Sequence, residues 1–204
     1  MLLSPSDSRT KKLKKVLHEL KNDMLADSVP HKRPLVSFVS EYSDVFAESN
    51  FDVGTTSLTF HEIDTGDTLP HRQPVRRLPV GEIQRAVEAE IEKLTETEIA
   101  RPSTSPWASP VVMVRTKDGF WRMCVNYRRL NSATTFVCFP LPRLDEALDA
   151  FSGSKVFSYL DLAMASHQVP VKPSDVDKTA FITHVGLVEI TKMPFGVSNA
   201  PLTY

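Results

Sequence analysis

Two cysteines in 204 residues are too few for a disulfide framework. Cys124 and Cys138 also lack metal-ligand spacing and a partnering His motif, so a reduced, intracellular protein is expected. No apolar run approaches the roughly 20 residues of a membrane-spanning helix, and the opening MLLSPSDSRTKK has no signal-peptide core. Nothing therefore directs the chain out of the cell, and no membrane partner is expected. An excess of charge of one sign is missing too. The 24 Lys and Arg against 25 Asp and Glu give a net charge of -1, which excludes attraction to nucleic acid by the molecule as a whole. Any such contact must come from a local cluster of cations. There is no internal repeat, no His-Glu-x-x-His zinc motif and no Gly-x-Ser-x-Gly elbow, which removes the commonest zinc and serine hydrolase readings.

What is present suits one globular domain, or a domain plus an arm: 41% hydrophobic and 24% charged residues. Residues 10–27 set Leu13, Val16, Leu17, Leu20 and Met24 at helical spacing against a lysine-rich face, a basic amphipathic helix. A second helix is expected over 35–46, separated from the first by Pro30 and Pro34. Residues 57–63 (SLTFHEI) read as a strand, and 65–80, with its prolines and arginines, as an extended connector. Over 82–98, Ile83, Val87, Ile91 and Leu94 line one face of the clearest helix. RPSTSPWASP (101–110) is a loop. Two apolar runs around Asp118-Gly119 make a hairpin. Pro142, the acids after it and Gly153 frame a short helix over 142–151. A strand over 155–160 ends at Asp161, further strands are expected near 167–171, 178–183 and 187–192, and SNAPLTY opens a last helix. Mixed helices and hairpins of this kind give an α+β class.

Two features carry candidate chemistry. A two-residue Asp118-Gly119 turn would pair Arg115 with Arg122, and Lys117 would share their face. Like charges opposed on a ladder are unfavourable unless an anion lies between them, which a triphosphate or nucleic-acid backbone would supply; a solvated hairpin tip is the plainer alternative. Asp161 is either a metal ligand or the cap of the next turn. Phosphoryl transfer by two metals needs more than one carboxylate, so Asp161 alone cannot hold the pair. Asp64-Thr65-Gly66 matches the aspartic-protease triplet, but a proline-rich connector follows it instead of a strand. His61, His71 and His184 read as strand or loop residues, not ligands.

Five strings occur in order: HEIDTGDTLPHRQPVRRLP, RPSTSPWASPVVMVRTKDGFWRMCVNYRRLN, FPLPRLDEAL, FSYLDLAMASHQ and KTAFITHVGLVEITKMPFGVSNAP. From about residue 57 onward they resemble the reverse transcriptase of gypsy-type long-terminal-repeat retrotransposon Pol polyproteins. The resemblance implies a right-hand polymerase fold cut to fingers (mainly 82–136) and part of the palm (mainly 140–204), after a helical arm over 1–56. It implies Asp161 as first catalytic carboxylate and Mg²⁺ ligand. It places Lys117, Arg122, Leu162, Ala163, Ser166, Phe195 and Gly196 at the incoming nucleotide, with Arg115 and Pro194 on nucleic acid. Template-primer RNA or DNA and deoxynucleotides are the implied partners, and Mg²⁺ the implied cofactor.

Departures from the family pattern matter as well. Ser166 stands where the family has an aromatic ring that blocks a ribose 2′-hydroxyl, Asn126 replaces an aspartate, and Val137 replaces an acid. The family's Tyr-x-Asp-Asp hairpin follows the Asn-Ala-Pro helix, and no Asp-Asp pair occurs in these 204 residues. Two expectations follow: RNA-directed DNA polymerase as the family's activity, and, for this chain alone, an inactive remnant with weak nucleotide or nucleic-acid binding.

Overall fold

The computed structural model describes residues 37–38, 40–47, 49, 52–79, 81–138, 143–155, 157 and 159–204. The chain divides into two compact units, Met1–Val53 and Gly54–Tyr204. The amphipathic helix expected over 10–27 lies outside the described residues. In the first unit the described part of 35–46 holds a 3₁₀ turn, Ser43–Val45, with the Phe38 and Tyr42 rings 4.8 Å apart.

The second unit is built on a five-stranded sheet. Its strands are β1 (Ala100–Pro102), β2 (Ser109–Arg115), β3 (Trp121–Val125), β4 (Phe181–Thr183) and β5 (Gly186–Ile190), in the order β1-β5-β4-β2-β3. All pairs are antiparallel except β2 with β4. Helix α1 (Glu82–Glu96) packs on β1 and β3. Val87 and Leu94 of its apolar stripe are buried, as the 3.6-residue period requires. Helices α2 (Arg128–Ala133), α3 (Leu144–Ala150) and α4 (Ala200–Thr203) are short. No described helix is long and apolar enough to cross a membrane.

One core gathers Ile63, Trp107, Tyr127, Leu130, Val169, Val171, Val176, Met193 and Val197. Tyr127 is its largest fully buried side chain, and its hydroxyl donates to the Thr179 carbonyl at 2.7 Å, so the one polar atom of the ring is satisfied. A polar clamp attaches the 61–65 segment to this core. The Ile63 N–H donates to Asp175 Oδ2 at 3.0 Å, and Lys178 Nζ donates both to the Ile63 carbonyl at 2.7 Å and to Asp175 Oδ1 at 2.9 Å. Every partner in this largely buried set is therefore bonded, which offsets the desolvation of the two charges.

Several expectations change. The stretch 57–63 is not a strand: only His61 bridges, to Val171, and the inward residues are His61 and Ile63, while Leu58 is exposed. Residues 165–168 form a 3₁₀ turn instead of a strand, with pairing confined to Pro170 and Val171. The strand expected over 155–160 is absent among its described residues, and Phe157, Tyr159 and Leu160 are exposed. A strand needs a neighbour for its backbone groups, and among the described residues no ladder partner pairs with this segment. Helix α3 likewise buries none of its residues.

The hairpin forms, but in a different register. Arg115 pairs with Trp121 and Val114 with Arg122. Thr116 N–H donates to the Phe120 carbonyl at 2.8 Å and Gly119 N–H to the Thr116 carbonyl at 3.0 Å, which makes a three-residue loop closed by Gly119 at φ 86°. This is the turn-plus-bulge alternative to a two-residue loop, and it needs a residue that tolerates positive φ. Directly opposed residues share a face, so Arg115 and Arg122 emerge on opposite faces of the sheet, and Lys117 belongs to the loop. The shared cationic face expected for the three is not formed.

Candidate functional site

The face of the hairpin that bears Val112, Val114 and Cys124 forms one wall of an open trough of about 400 Å³. By register Arg122 emerges on this same face. The remaining lining comes from Val125, Asn126, Tyr127, Arg128 and Asn131 at the end of β3 and the start of α2, from Gly196, and from Arg76 of the connector. Asn131 fixes the far side: its Nδ2 donates to the Gly196 carbonyl at 2.8 Å and its Oδ1 accepts from Ser198 N–H at 2.8 Å. Gly196 has φ 85°, a conformation that a side chain there would strain. Next to it, Asn199 at φ 64° accepts from Val137 N–H at 3.1 Å and donates to the Thr135 carbonyl at 2.9 Å, fastening 135–137 to the segment before α4.

Arg76 and Arg128 are both exposed, and neither forms an ion pair among the described residues. Two unneutralised guanidiniums on one concave surface with an apolar strand wall suit a phosphate chain carrying bases. Arg115, on the reverse face, lies with its guanidinium 6.0 Å from the centre of the Trp121 ring, and its Nε donates to the Gly119 carbonyl at 3.3 Å. It stiffens the hairpin tip and does not line the trough.

A second group surrounds Ser166. Residues 165–168 form a 3₁₀ turn entered through Met164 at φ 45°, and Gln168 Nε2 donates to the Ala163 carbonyl at 2.9 Å. Ser166 and His167 are buried, and Ser166 Oγ and His167 Nδ1 have no hydrogen-bond partner among the described residues. The His167 ring stands 5.2 Å from that of Phe195. Burial, helped by the Lys192 charge, lowers the His167 pKa to about 4, so the ring is neutral at pH 7. Phe195 is half exposed, whereas Pro194 is fully buried. Asp161 and Leu162 are exposed, on a segment without regular structure.

The structure thus brings His167 and Phe195 together, with Ser166 beside His167 in the same turn, and puts Gly196 in the trough whose strand wall is the face that carries Arg122. Lys117 remains at the loop, apart from both arginines' strands.

Residues 114–204 match the family described as reverse transcriptase (RNA-dependent DNA polymerase). Over 85% of its length the chain is 31% identical to the retrovirus-related Pol polyprotein from transposon 412 of Drosophila melanogaster, and over 90% it is 32% identical to that from transposon opus. The transposon Tf2-3 polyprotein of Schizosaccharomyces pombe is 32% identical over 90% of the chain. The chain carries part of a reverse transcriptase domain. It spans only 14 to 19% of the length of these Pol polyproteins. The fold agrees with this: a crystal structure of prototype foamy virus protease-reverse transcriptase superposes with a TM-score of 0.75 at 24% identity, covering 100% of this chain and 26% of that one. The foamy viral enzyme in complex with an RNA/DNA hybrid gives a TM-score of 0.71 at 20% identity, covering 98% of this chain and 26% of that one.

For a reverse transcriptase the implied cofactor is a divalent metal, and the donor set present here is small. Among the described residues no group of three or more His, Cys, Asp or Glu side chains could hold a metal ion. One exposed carboxylate, Asp161, can contribute to a Mg²⁺ site but does not make a two-metal site, so these residues by themselves do not fit the metal pair. The trough residues Arg76, Cys124, Arg128 and Asn131 were not evident as a site in the sequence. The only signals were the Arg76-Arg77 and Arg128-Arg129 pairs, and their convergence depends on the fold.

Proposed function

We propose that this chain is the fingers and partial palm of a gypsy-type reverse transcriptase, and that its trough holds a nucleic-acid strand beside an incoming deoxynucleotide. Fingers over 82–136 and palm over 140–204, after an arm over 1–56, are the divisions this reading adopts. The observation that carries it is the trough lined by Val112, Val114, Cys124, Arg76, Arg128 and Gly196, with Arg122 on the same strand face by register and just outside the lining.

In this reading Arg122 contacts the triphosphate and Lys117, on the mobile end of a long side chain, adds charge from the loop. Phe195 and Gly196 border the nucleotide, with Pro194 packed behind them and not on nucleic acid. Leu162 and Ala163 offer backbone groups to the phosphates, and Ser166 leaves the sugar position without an aromatic barrier. Arg115 serves nucleic acid only indirectly, by bracing the hairpin tip. Asp161 is one Mg²⁺ ligand and first catalytic carboxylate. Further carboxylates are required for two-metal transfer, so these 204 residues bind but do not polymerise by themselves.

The test is a pair of assays on the full chain with Mg²⁺ present. Fluorescent primer–template and deoxynucleoside triphosphate should bind, with triphosphate affinity reduced in Arg122→Ala, and primer extension should be absent. Failure to bind either ligand contradicts the functional reading. Extension that vanishes in Asp161→Asn contradicts the view that one carboxylate is too few.

A further inference from the structure

We infer that Arg76, in the connector ahead of α1, is a phosphate-contacting residue of the trough. This rests on the polynucleotide reading above and extends it to a stretch upstream of residues 114–204, where the family match lies. The connector is HRQPVRRLP over 71–79, and its start is mounted on the core. Ala108 N–H donates to the His71 carbonyl at 3.0 Å and Gln73 N–H donates to the Ala108 carbonyl at 2.9 Å, which makes a parallel bridge through Arg72 immediately before β2. The His71 ring meets the buried Trp107 ring edge-on at 4.9 Å.

From that anchor, Gln73 to Arg76 is about 10 Å of extended chain. Pro74 and Pro79 fix φ on either side of the arginine and reduce the freedom of the segment. The arginine is thereby held at the trough, and no acid among the described residues pairs with it. Arg128 lines the same trough from α2. Two like charges facing one concavity repel each other, and a phosphate between them reverses the sign of that interaction. The planar guanidinium presents paired donors that match phosphate oxygens. The apolar wall of Val112, Val114 and Cys124 provides a surface for the attached base.

Arg77 is the internal control. It is adjacent, equally charged and exposed, but it does not line the trough. The full chain and its Arg76→Ala, Arg76→Lys and Arg77→Ala variants are titrated with a labelled primer–template bearing a single-stranded template overhang, over a range of salt concentrations. One lost phosphate contact reduces the slope of log K against log salt by about one. Arg76→Ala is expected to show that reduction, Arg77→Ala to retain the wild-type slope, and Arg76→Lys to lie between. Equal reductions in both alanine variants would mean a diffuse field and overturn the inference, as would an unchanged slope in Arg76→Ala. Absence of binding by the unmodified chain would instead remove the polynucleotide reading itself. Thermal unfolding of each variant, expected to match wild type because the arginines are exposed, excludes misfolding as the cause.

Discussion

Val114 and Arg122 stand directly opposite one another on the β2–β3 hairpin, so the Arg122 side chain emerges on the face whose Val112, Val114 and Cys124 form the trough wall. Arg115, one residue from Val114, is turned to the other face, against Trp121. The two arginines should therefore behave differently. Arg122→Ala should weaken triphosphate binding roughly tenfold or more, the loss of a charge-assisted hydrogen bond worth about 1.5–3 kcal/mol. Arg115→Ala should leave that affinity within about twofold and cost no more than about 1 kcal/mol of stability, the range of an exposed cation–π contact. Calorimetric titration and urea unfolding measure the two effects.

Tyr127 offers a test of the core. Its ring is buried and its hydroxyl serves the Thr179 carbonyl, also buried. Tyr127→Phe keeps the packing and leaves that carbonyl unpaired, so a loss of about 1–3 kcal/mol is expected in urea unfolding. Burial raises the Tyr127 pKa above its ordinary value of 10.0. A raised acid pKa means stability present below pH 10 and lost as pH rises beyond it, and Tyr127→Phe should remove this part of the alkaline limb.

Acid should act through the buried histidines. Burial lowers the pKa of His61 and takes that of His167 to about 4 from 6.5. The unfolded chain then binds protons first, so stability is full above pH 6.5 and declines as pH falls toward 4. For His167 alone the decline is on the order of 3 kcal/mol. His167→Phe, which also replaces an Nδ1 with no partner among the described residues, should flatten this limb in chemical denaturation at stepped pH; an unchanged limb would assign it elsewhere.

The Asp175–Lys178 clamp on Ile63 gives a local prediction. Lys178→Met removes the cation and leaves the Asp175 carboxylate still holding the Ile63 N–H in a largely buried site. Breaking one partner of such a pair costs about 3–5 kcal/mol. Urea unfolding should show the loss, and limited proteolysis should show faster cleavage near residue 63 than in the wild-type chain.

Local patterns carried much of the fold. The 3.6-residue stripe of Ile83, Val87, Ile91 and Leu94 located α1, and Asp118-Gly119 located the hairpin. The hairpin's register was not legible, because the same dipeptide closes either a two-residue turn or a three-residue loop with Gly119 as the bulge, and cross-strand packing decides between them. The stretch 155–160 has strand composition, yet composition does not provide a ladder partner. Of the residues singled out in the sequence, Gly196 lines the trough, while Arg122 shares only the face of its strand wall. The trough itself was not legible, since Arg76, Cys124, Arg128 and Gly196 are brought together only by folding, and Ser166 and His167 gave no sequence sign of being buried with unpartnered polar atoms.

The trough can be interrogated directly through Cys124, which lines it. Replacing the only other thiol, the exposed Cys138, by serine leaves Cys124 as a single reporter. The rate at which a maleimide alkylates Cys124 is then measured with and without saturating primer–template. Occupancy of the trough by a nucleic-acid strand predicts marked protection that fades as added salt releases the strand. Alkylation at the same rate in both conditions, with binding verified in the same sample, would contradict the placement of the strand in this trough.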